Sequence, residues 1–241
     1  MRSLLVLLPL LFLLGCKPPV DYSKKMREAT VMITSLKGGG GSGSIVYSDK
    51  SYSIILTNAH VCKAVEKGGR VTNVYDKSAL VESYAIYDKH DLCQIKVSAD
   101  MGPAVKIAKQ ESEKQEDIII SGHPNLLPQT FSNGKITGKQ EVDIMIELKA
   151  CTEEDAKENV ACIFFGGIPI VKKFEATTTS ALIMPGSSGS AVYNNKAEIV
   201  AVVFAGRQGL SYGYLVPFEH VKQFLEQEET YFEPINYQQE L

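Results

Sequence analysis

Short hydrophobic runs separated by turn residues follow one another from residue 30 to residue 216. The runs are rich in valine, isoleucine, threonine and tyrosine, which favour strands, and no helical segments alternate with them. This rhythm is typical of antiparallel sandwiches and barrels rather than of alternating strands and helices. Strands are predicted at residues 30–36, 43–47, 53–57, 71–75, 79–87 and 92–97, and again at 118–121, 130–137, 143–148, 168–178, 189–193, 198–205 and 212–216.

Two changes in this pattern divide the chain. The strongly polar residues 109–117 form the predicted linker between an N-terminal β-half at 27–108 and a C-terminal β-half at 118–216. The hydrophobic period then becomes helical, with apolar residues three and four apart. This spacing predicts an amphipathic helix at 217–230, which begins at a proline, and leaves a tail at 231–241.

The N-terminus has the features of a secretion signal. Arg2 precedes an apolar run at residues 4–14, which ends at a glycine and Cys16. Eleven apolar residues are too few to span a bilayer, which needs about 20, whereas a basic residue before a short apolar stretch is typical of a signal peptide. The last two leucines, the glycine and Cys16 resemble the bacterial lipobox. We therefore expect removal of residues 1–15, lipidation of Cys16, and an extended tether at 16–26.

Two alternatives to the lipobox are a plain signal peptide and a short uncleaved anchor. The resemblance implies export to the bacterial cell envelope and attachment to a membrane through Cys16. It does not imply which membrane is used.

Composition narrows the possible functions. The 241 residues are 44% hydrophobic and 22% charged, with a net charge of -3, which excludes bulk disorder. The 25 basic residues are outnumbered by 28 acidic ones and do not cluster, so no nucleic-acid partner is expected. The five cysteines are too widely spaced for a zinc knuckle, and neither a metal nor another cofactor is predicted.

Three segments carry candidate chemistry. His60 follows a buried strand, Asp91 directly precedes another apolar strand, and Ser188 lies in a tight glycine-rich loop. Each segment alone is ordinary, because packed histidines, turn aspartates and glycine turns are common. In this order, however, the Thr-x-x-His, Asp-Leu-x-x-x-Lys and Gly-x-Ser-Gly segments resemble the chymotrypsin-like serine peptidases, most closely the bacterial envelope branch of HtrA type.

The resemblance covers about residues 27–228. It also includes the glycine-rich residues 41–46 and the Gly-x-Pro turn at 121–124. It implies an all-β fold of two six-stranded antiparallel β-barrels with a C-terminal helix. No PDZ-like segment is expected after that helix, which departs from the HtrA proteins and puts their chaperone role in doubt. A long gap before Ser188 further predicts an inserted hairpin at residues 149–173.

The family resemblance implies a catalytic role for each of these three residues. Ser188 attacks the substrate carbonyl, His60 acts as general base, and Asp91 orients the imidazole. The N–H groups of Gly186 and Ser188 form the oxyanion hole. The implied activity is that of a serine endopeptidase acting on a protein or peptide substrate through an acyl-enzyme.

The substrate pocket is also inferred from the resemblance. Leu182 is expected at the pocket floor, six residues before the nucleophile, with Phe204, Gly206 and Gly213 in its walls. An apolar floor leaves a buried lysine or arginine without a counter-ion, at a high energetic cost. We therefore expect cleavage after medium or large apolar residues.

The same residues do not meet the requirements of several other classes of protein. An α/β-hydrolase needs the order serine, acid, histidine and a glycine at position 190, whereas this chain has Ser190. The glycine-rich residues 38–44 lack the lysine and helix of a phosphate loop. His90 and His123 have no second ligand at metal-binding spacing, so both are interpreted as structural. The surviving alternative is a catalytically inactive, lipid-anchored binding module of the same fold.

The cysteines predict one disulfide and leave a second open. Cys151 and Cys162 bracket a charged segment that cannot bury itself, so we expect them to pair in an oxidising compartment. Cys62 and Cys93 each lie two residues after a proposed catalytic residue. They could pair, or they could fill core space as thiols.

Overall fold

The computed structural model describes residues 22–152, 167–206, 211–227 and 229–237. The predicted signal peptide, Cys16, the start of the tether and Cys162 lie outside these ranges. Within them, no helix is long and apolar enough to cross a membrane.

Strands account for most of the regular structure in the described chain. The helices are α1 (Tyr22–Ala29), α2 (Ala59–Val65) and α3 (Phe218–Leu225), and short 3₁₀ turns occur at Asp88–His90 and Pro124–Leu126. The strands are β1 (Thr30–Ser35), β2 (Gly40–Ser48), β3 (Ser53–Thr57), β4 (Gly69–Asn73), β5 (Ser78–Leu80), β6 (Ser83–Tyr87), β7 (Leu92–Val97), β8 (Asp117–Gly122), β9 (Thr130–Ala150), β10 (Gly167–Thr179), β11 (Ala191–Tyr193), β12 (Ile199–Gly206), β13 (Gly213–Val216) and β14 (Glu233–Pro234).

The N-terminal unit is one antiparallel sheet of eight strands in the order β14-β6-β7-β3-β2-β1-β4-β5. Inward-facing aliphatic residues, including Val31, Ile33, Ile55 and Ile95, form its core with the buried face of α2. The sequence predicts six strands here. The two further strands are short: β5 forms a hairpin with β4, and β14 returns from the C-terminal tail to pair with β6.

The C-terminal unit is a closed barrel in the order β10-β13-β12-β11-β8-β9. The hydrophobic pattern indicates seven strand segments, whereas the family resemblance implies a six-stranded barrel. The structure has six strands, because residues 130–137 and 143–148 belong to the single long strand β9. Strand β9 pairs with β10 from Ile136↔Thr179 to Ala150↔Gly167. This ladder includes the ends of the hairpin predicted at residues 149–173 and extends beyond them, and residues 153–166 lie outside the described residues. The all-β fold with two β-units and a C-terminal helix is therefore confirmed. The segment at residues 109–116 between the units contains neither helix nor strand.

The two units share a core. Leu56 and Leu92 of the first unit pack in one cluster with Tyr193 and Val202 of the second. Polar groups also cross the boundary, because the Tyr193 hydroxyl lies 3.1 Å from Ser44 Oγ. This interface fixes the middle of β2 and the end of β3 against the barrel.

The helices differ from the sequence predictions. Helix α1 occupies residues predicted as tether and buries Met26 and Ala29, three residues apart. The hydrophobic pattern does not predict helix α2, because it places His60 after the strand at residues 53–57 and indicates no helix there. Helix α3 is shorter than the predicted 217–230, with Pro217 as its N-cap.

Candidate active site

His60 is presented by the first turn of α2. Strand β3 ends at Thr57, Asn58 is the N-cap with extended backbone, and α2 begins at Ala59. The buried Val61 anchors the helix in the N-terminal core. The His60 side chain itself remains 49% exposed, so the imidazole is available at the surface from a fixed helix.

Asp91 lies against both the ring and the backbone of His60. Its Oδ2 is 2.8 Å from His60 Nδ1, and its Oδ1 accepts the His60 backbone N–H at 3.0 Å. The Asp91 side chain is only 14% exposed. A carboxylate in this position favours the tautomer that carries its proton on Nδ1, which leaves Nε2 free to accept a proton.

Ser188 lies in the loop that connects β10 to β11. Its carbonyl accepts the N–H of Ser42 at 2.8 Å, which ties the loop to β2. Gly189 has a φ of +83°, and a Cβ there would lie 2.1 Å from the Ser42 carbonyl oxygen and 2.2 Å from Thr57 Oγ1. Only glycine permits this conformation and this close approach to the N-terminal unit.

Gly41 lies between helix α2 and the loop that contains Ser188. A Cβ at Gly41 would lie 2.7 Å from Val61 Cγ2, next to His60, and 2.8 Å from the Ser188 carbonyl oxygen. The Ser188 hydroxyl lies 3.5 Å from the Phe204 carbonyl oxygen, and it makes no hydrogen bond with His60 among the described residues. Such bonds are often long or misaligned in ligand-free enzymes and tighten when substrate binds.

The loop that contains Ser188 has two unpaired backbone donors among the described residues. Within the described ranges, the N–H groups of Gly186 and Ser188 donate to no protein acceptor, whereas those of Ser187 and Gly189 donate to backbone carbonyls. Free, fixed N–H groups beside a nucleophile can stabilise a developing oxyanion.

Gly186 fits where a larger residue would not. Its φ is +85°, and a Cβ would lie 2.7 Å from the His123 carbonyl oxygen and 2.8 Å from the Asn125 nitrogen. Ser42 Oγ donates to the Gly186 carbonyl at 2.8 Å and accepts the His123 N–H at 2.8 Å. The sequence analysis missed Ser42, although it lies within the glycine-rich segment that carries the family resemblance.

The residues of the expected substrate pocket are arranged differently from the prediction. Leu182 is 50% exposed and lines a cavity of about 140 Å³ with Phe131, Met184 and Ser187. It therefore does not lie between the two predicted wall glycines. Ile183 takes that place: a Cβ on Gly206 would lie 2.8 Å from Ile183 Cβ, and one on Gly213 would lie 2.1 Å from Ile183 Cδ1.

The residue beside the two glycines is Ile183, one residue after the predicted Leu182. Adjacent side chains of an extended segment face opposite sides, so a shift of one residue exchanges the buried and exposed positions. Ile183 is 5% exposed and Phe204 is 7% exposed, with the Phe204 ring near those of Phe174 and Tyr214. The region between the two glycines is therefore apolar.

A disulfide joins Cys62 and Cys93, the pair that the sequence left open. It connects α2 to β7, two residues beyond His60 and Asp91 respectively. Cys151 is also disulfide-bonded. Its predicted partner, Cys162, lies outside the described residues, so that pairing stays a prediction.

His90 and His123, the two histidines considered as metal ligands, contact other groups in the structure. Burial and the adjacent His220 lower the pKa of His90 to about 4, and the two rings stack with centroids 3.5 Å apart. Burial also lowers the pKa of His123, whose Nδ1 lies 3.0 Å from the Leu127 carbonyl oxygen. In the part of the chain that the structure describes, no group of three His, Cys, Asp or Glu residues could hold a metal ion.

Comparisons with known proteins identify a family and a fold. The profile of the family described as "Trypsin-like peptidase domain" matches residues 41–202. The chain is 29% identical over 189 residues to HhoB of Synechocystis sp., whose name assigns it to the serine proteases; the match covers 75% of this chain and 38% of HhoB.

Two solved structures show the same fold. The active form of the Rv3671c protease of M. tuberculosis has a TM-score of 0.70 at 17% identity, covering 90% of this chain and 87% of that one. The serine endoprotease of Yersinia pestis has a TM-score of 0.61 at 21% identity, covering 87% and 67%. Because the family profile spans most of the chain, the protein belongs to the trypsin-like peptidase family, the class of serine endopeptidases that its three chemical segments predict.

Proposed function

We propose that the protein hydrolyses peptide bonds through a catalytic triad of His60, Asp91 and Ser188. The observation that supports this most directly is the 2.8 Å contact between His60 Nδ1 and Asp91 Oδ2. A histidine held in this way is oriented for proton transfer at Nε2, and the N–H of Ser42 in β2 donates to the carbonyl of Ser188.

The reaction has two halves. His60 Nε2 takes the hydroxyl proton as Ser188 Oγ attacks the scissile carbonyl, and the oxyanion accepts hydrogen bonds from the N–H groups of Gly186 and Ser188. The intermediate collapses as His60 gives its proton to the leaving amine, which leaves an acyl-enzyme. Water, deprotonated by His60, then attacks the ester and releases the acid together with free Ser188.

The substrate side chain before the cleaved bond binds, in this proposal, beside Ile183. Ile183 fills the space between the positions of Gly206 and Gly213, so this proposal leaves room for only a shallow apolar contact. Small or medium apolar side chains fit such a site. Lysine and arginine would lose hydration without gaining a counter-ion, which disfavours them.

Lipidation of Cys16 and attachment to the cell envelope belong to the same proposal. The lipobox resemblance of the N-terminus supports them. Detergent should then be needed to release the wild-type protein, whereas a Cys16→Ser form should be soluble or unprocessed. Wild-type protein that partitions wholly into the aqueous phase would contradict the anchor.

The inactive binding module remains the second candidate, because the Ser188 hydroxyl contacts the Phe204 carbonyl oxygen rather than the His60 ring. The two candidates differ in their reaction with a fluorophosphonate, which labels an activated serine. Labelling should occur at Ser188, accompanied by turnover of a peptide library, and Ser188→Ala should abolish both.

Ser190→Ala is the matched control. Ser190 is fully buried, and its hydroxyl has no hydrogen-bond partner in the described chain, so this substitution should leave labelling and turnover intact. A wild-type protein that shows neither labelling nor turnover would favour the binding module.

A further inference from the structure

Asn58 is a helix N-cap residue that does not cap its helix. Asparagine is favoured at this position because its side-chain oxygen accepts a free N–H in the first turn. Here the Asn58 side chain makes no such bond. The residue is fully buried, and its Oδ1 has no hydrogen-bond partner among the described residues. Local helix capping therefore does not explain an asparagine at this position.

The side chain is directed at Asp91 instead. Asn58 Nδ2 donates to the Asp91 backbone carbonyl at 2.9 Å. In return, Asp91 Oδ1 accepts the N–H of His60, the second residue of α2. Asp91 thus supplies the cap that Asn58 does not, and Asn58 holds the backbone of the residue that supplies it.

Asp91 needs such a restraint because of its backbone conformation. With φ 52° and ψ 43° it occupies the left-handed region, which is unfavourable for any residue with a Cβ. Its own N–H makes only a long contact of 3.5 Å with the Asp88 carbonyl oxygen. Turning the peptide after Asp91 toward an ordinary conformation would break the bond to Asn58 and swing the carboxylate away from the imidazole.

We propose that Asn58 is a positioning residue that acts through Asp91 on His60 and holds the carboxylate at the imidazole Nδ1. The proposal rests on the triad described under the proposed function. Asn58 is buried and cannot touch the substrate, so its effect reaches the reaction only through the orientation of His60.

The test compares Asn58→Ala with Asn73→Ala by steady-state kinetics. Asn73 in β4 is also buried, and its Nδ2 donates to the Met101 carbonyl at 2.8 Å. Its Oδ1 accepts two further backbone N–H groups, so Asn73→Ala removes more hydrogen bonds than Asn58→Ala. We expect Asn58→Ala to lower kcat by about ten-fold or more with KM unchanged, because small misplacements of catalytic groups can cost up to about 100-fold. Asn73→Ala should lower the thermal midpoint and leave kcat unchanged.

Asn58→Ser separates the positioning role from helix stability. Serine is a good N-cap and can stabilise α2, but it is too short to replace the amide at the Asp91 carbonyl. If Asn58 positions Asp91, the serine variant regains stability and keeps the kinetic defect. Recovery of kcat in Asn58→Ser, or a kcat within two-fold of wild type in Asn58→Ala, would overturn the proposal.

A spectroscopic measurement distinguishes a failure of the positioning proposal from a failure of the proposed triad itself. In a Ser188→Ala background, the proton shared between His60 Nδ1 and Asp91 should give a far-downfield proton resonance. Adding Asn58→Ala should broaden or remove that resonance, and adding Asn73→Ala should preserve it. A resonance unchanged by Asn58→Ala refutes the positioning role, even if the wild-type enzyme shows no turnover.

Discussion

Removal of the Cys62–Cys93 disulfide tests how much this bond stabilises the region around His60 and Asp91. The bond joins α2, which carries His60, to β7, which begins directly after Asp91. Both cysteines are fully buried, so a reductant cannot reach them in the folded protein. The appropriate perturbation is therefore the double variant Cys62→Ala/Cys93→Ala, rather than reduction of the native enzyme.

The expected loss of free energy of unfolding follows from the length of the loop that the disulfide closes. Cys62 and Cys93 are 31 residues apart. A cross-link over a loop of this length restricts the unfolded chain by an amount equivalent to about 3.7 kcal/mol at 25 °C. Loss of the buried sulfur atoms removes packing contacts as well, so the double variant should lose about 2–4 kcal/mol of free energy of unfolding.

Guanidinium chloride unfolding followed by circular dichroism measures the loss. The double variant should unfold at a clearly lower denaturant concentration, with kcat reduced at temperatures where it remains folded. Native wild-type enzyme incubated with dithiothreitol should keep its activity until denaturant exposes the bond. A change in the free energy of unfolding below about 1 kcal/mol would refute the loop-closure argument.

Three further predictions concern the nucleophile loop, pH and specificity. Ser42→Ala should lower kcat about ten-fold with little change in KM, because it releases the Gly186 carbonyl from its support; unchanged kcat would contradict this role. The denaturant midpoint should fall as the pH drops from about 6.5 to about 4, because burial and the neighbouring His220 lower the pKa of His90 to about 4 and the unfolded chain takes up the proton first. The fall should be smaller in His90→Gln, and an equal fall in both proteins would count against this assignment. Ile183→Ala should shift cleavage toward larger apolar residues in a peptide library, and an unchanged profile would exclude Ile183 from the pocket.

The residues proposed for catalysis could be found from the sequence because their chemistry is local. A histidine after a buried strand, an aspartate before another and a serine between glycines are each visible within a few letters. The contact between His60 and Asp91 then follows from strand pairing, since β3 and β7 are neighbours with Thr57 opposite Cys93. Residue type and chain order therefore carried most of the information about the site.

The supporting residues had no comparable local pattern. Ser42 acts through the Gly186 carbonyl, 144 residues away, and Asn58 acts through the backbone of Asp91, 33 residues away. Strand β14 contributes two residues to a sheet that begins about 200 residues earlier in the chain. Such pairings depend on tertiary packing, which neither hydrophobic period nor propensity encodes.

The division of the site between two β-units also explains the direction of the Ser188 hydroxyl. The first unit holds His60 and Asp91, and the second holds Ser188 and the two free N–H donors. The backbone of the nucleophile loop is fixed to the first unit by the Ser42 N–H, by Ser42 Oγ and by the close approach of Gly189. The hydroxyl, by contrast, has only a 3.5 Å contact with the Phe204 carbonyl oxygen, at the outer limit of a hydrogen bond. Rotation about the Cα–Cβ bond of Ser188 is therefore the movement in this loop that costs least, and the proposed mechanism needs such a rotation to bring the hydroxyl to His60.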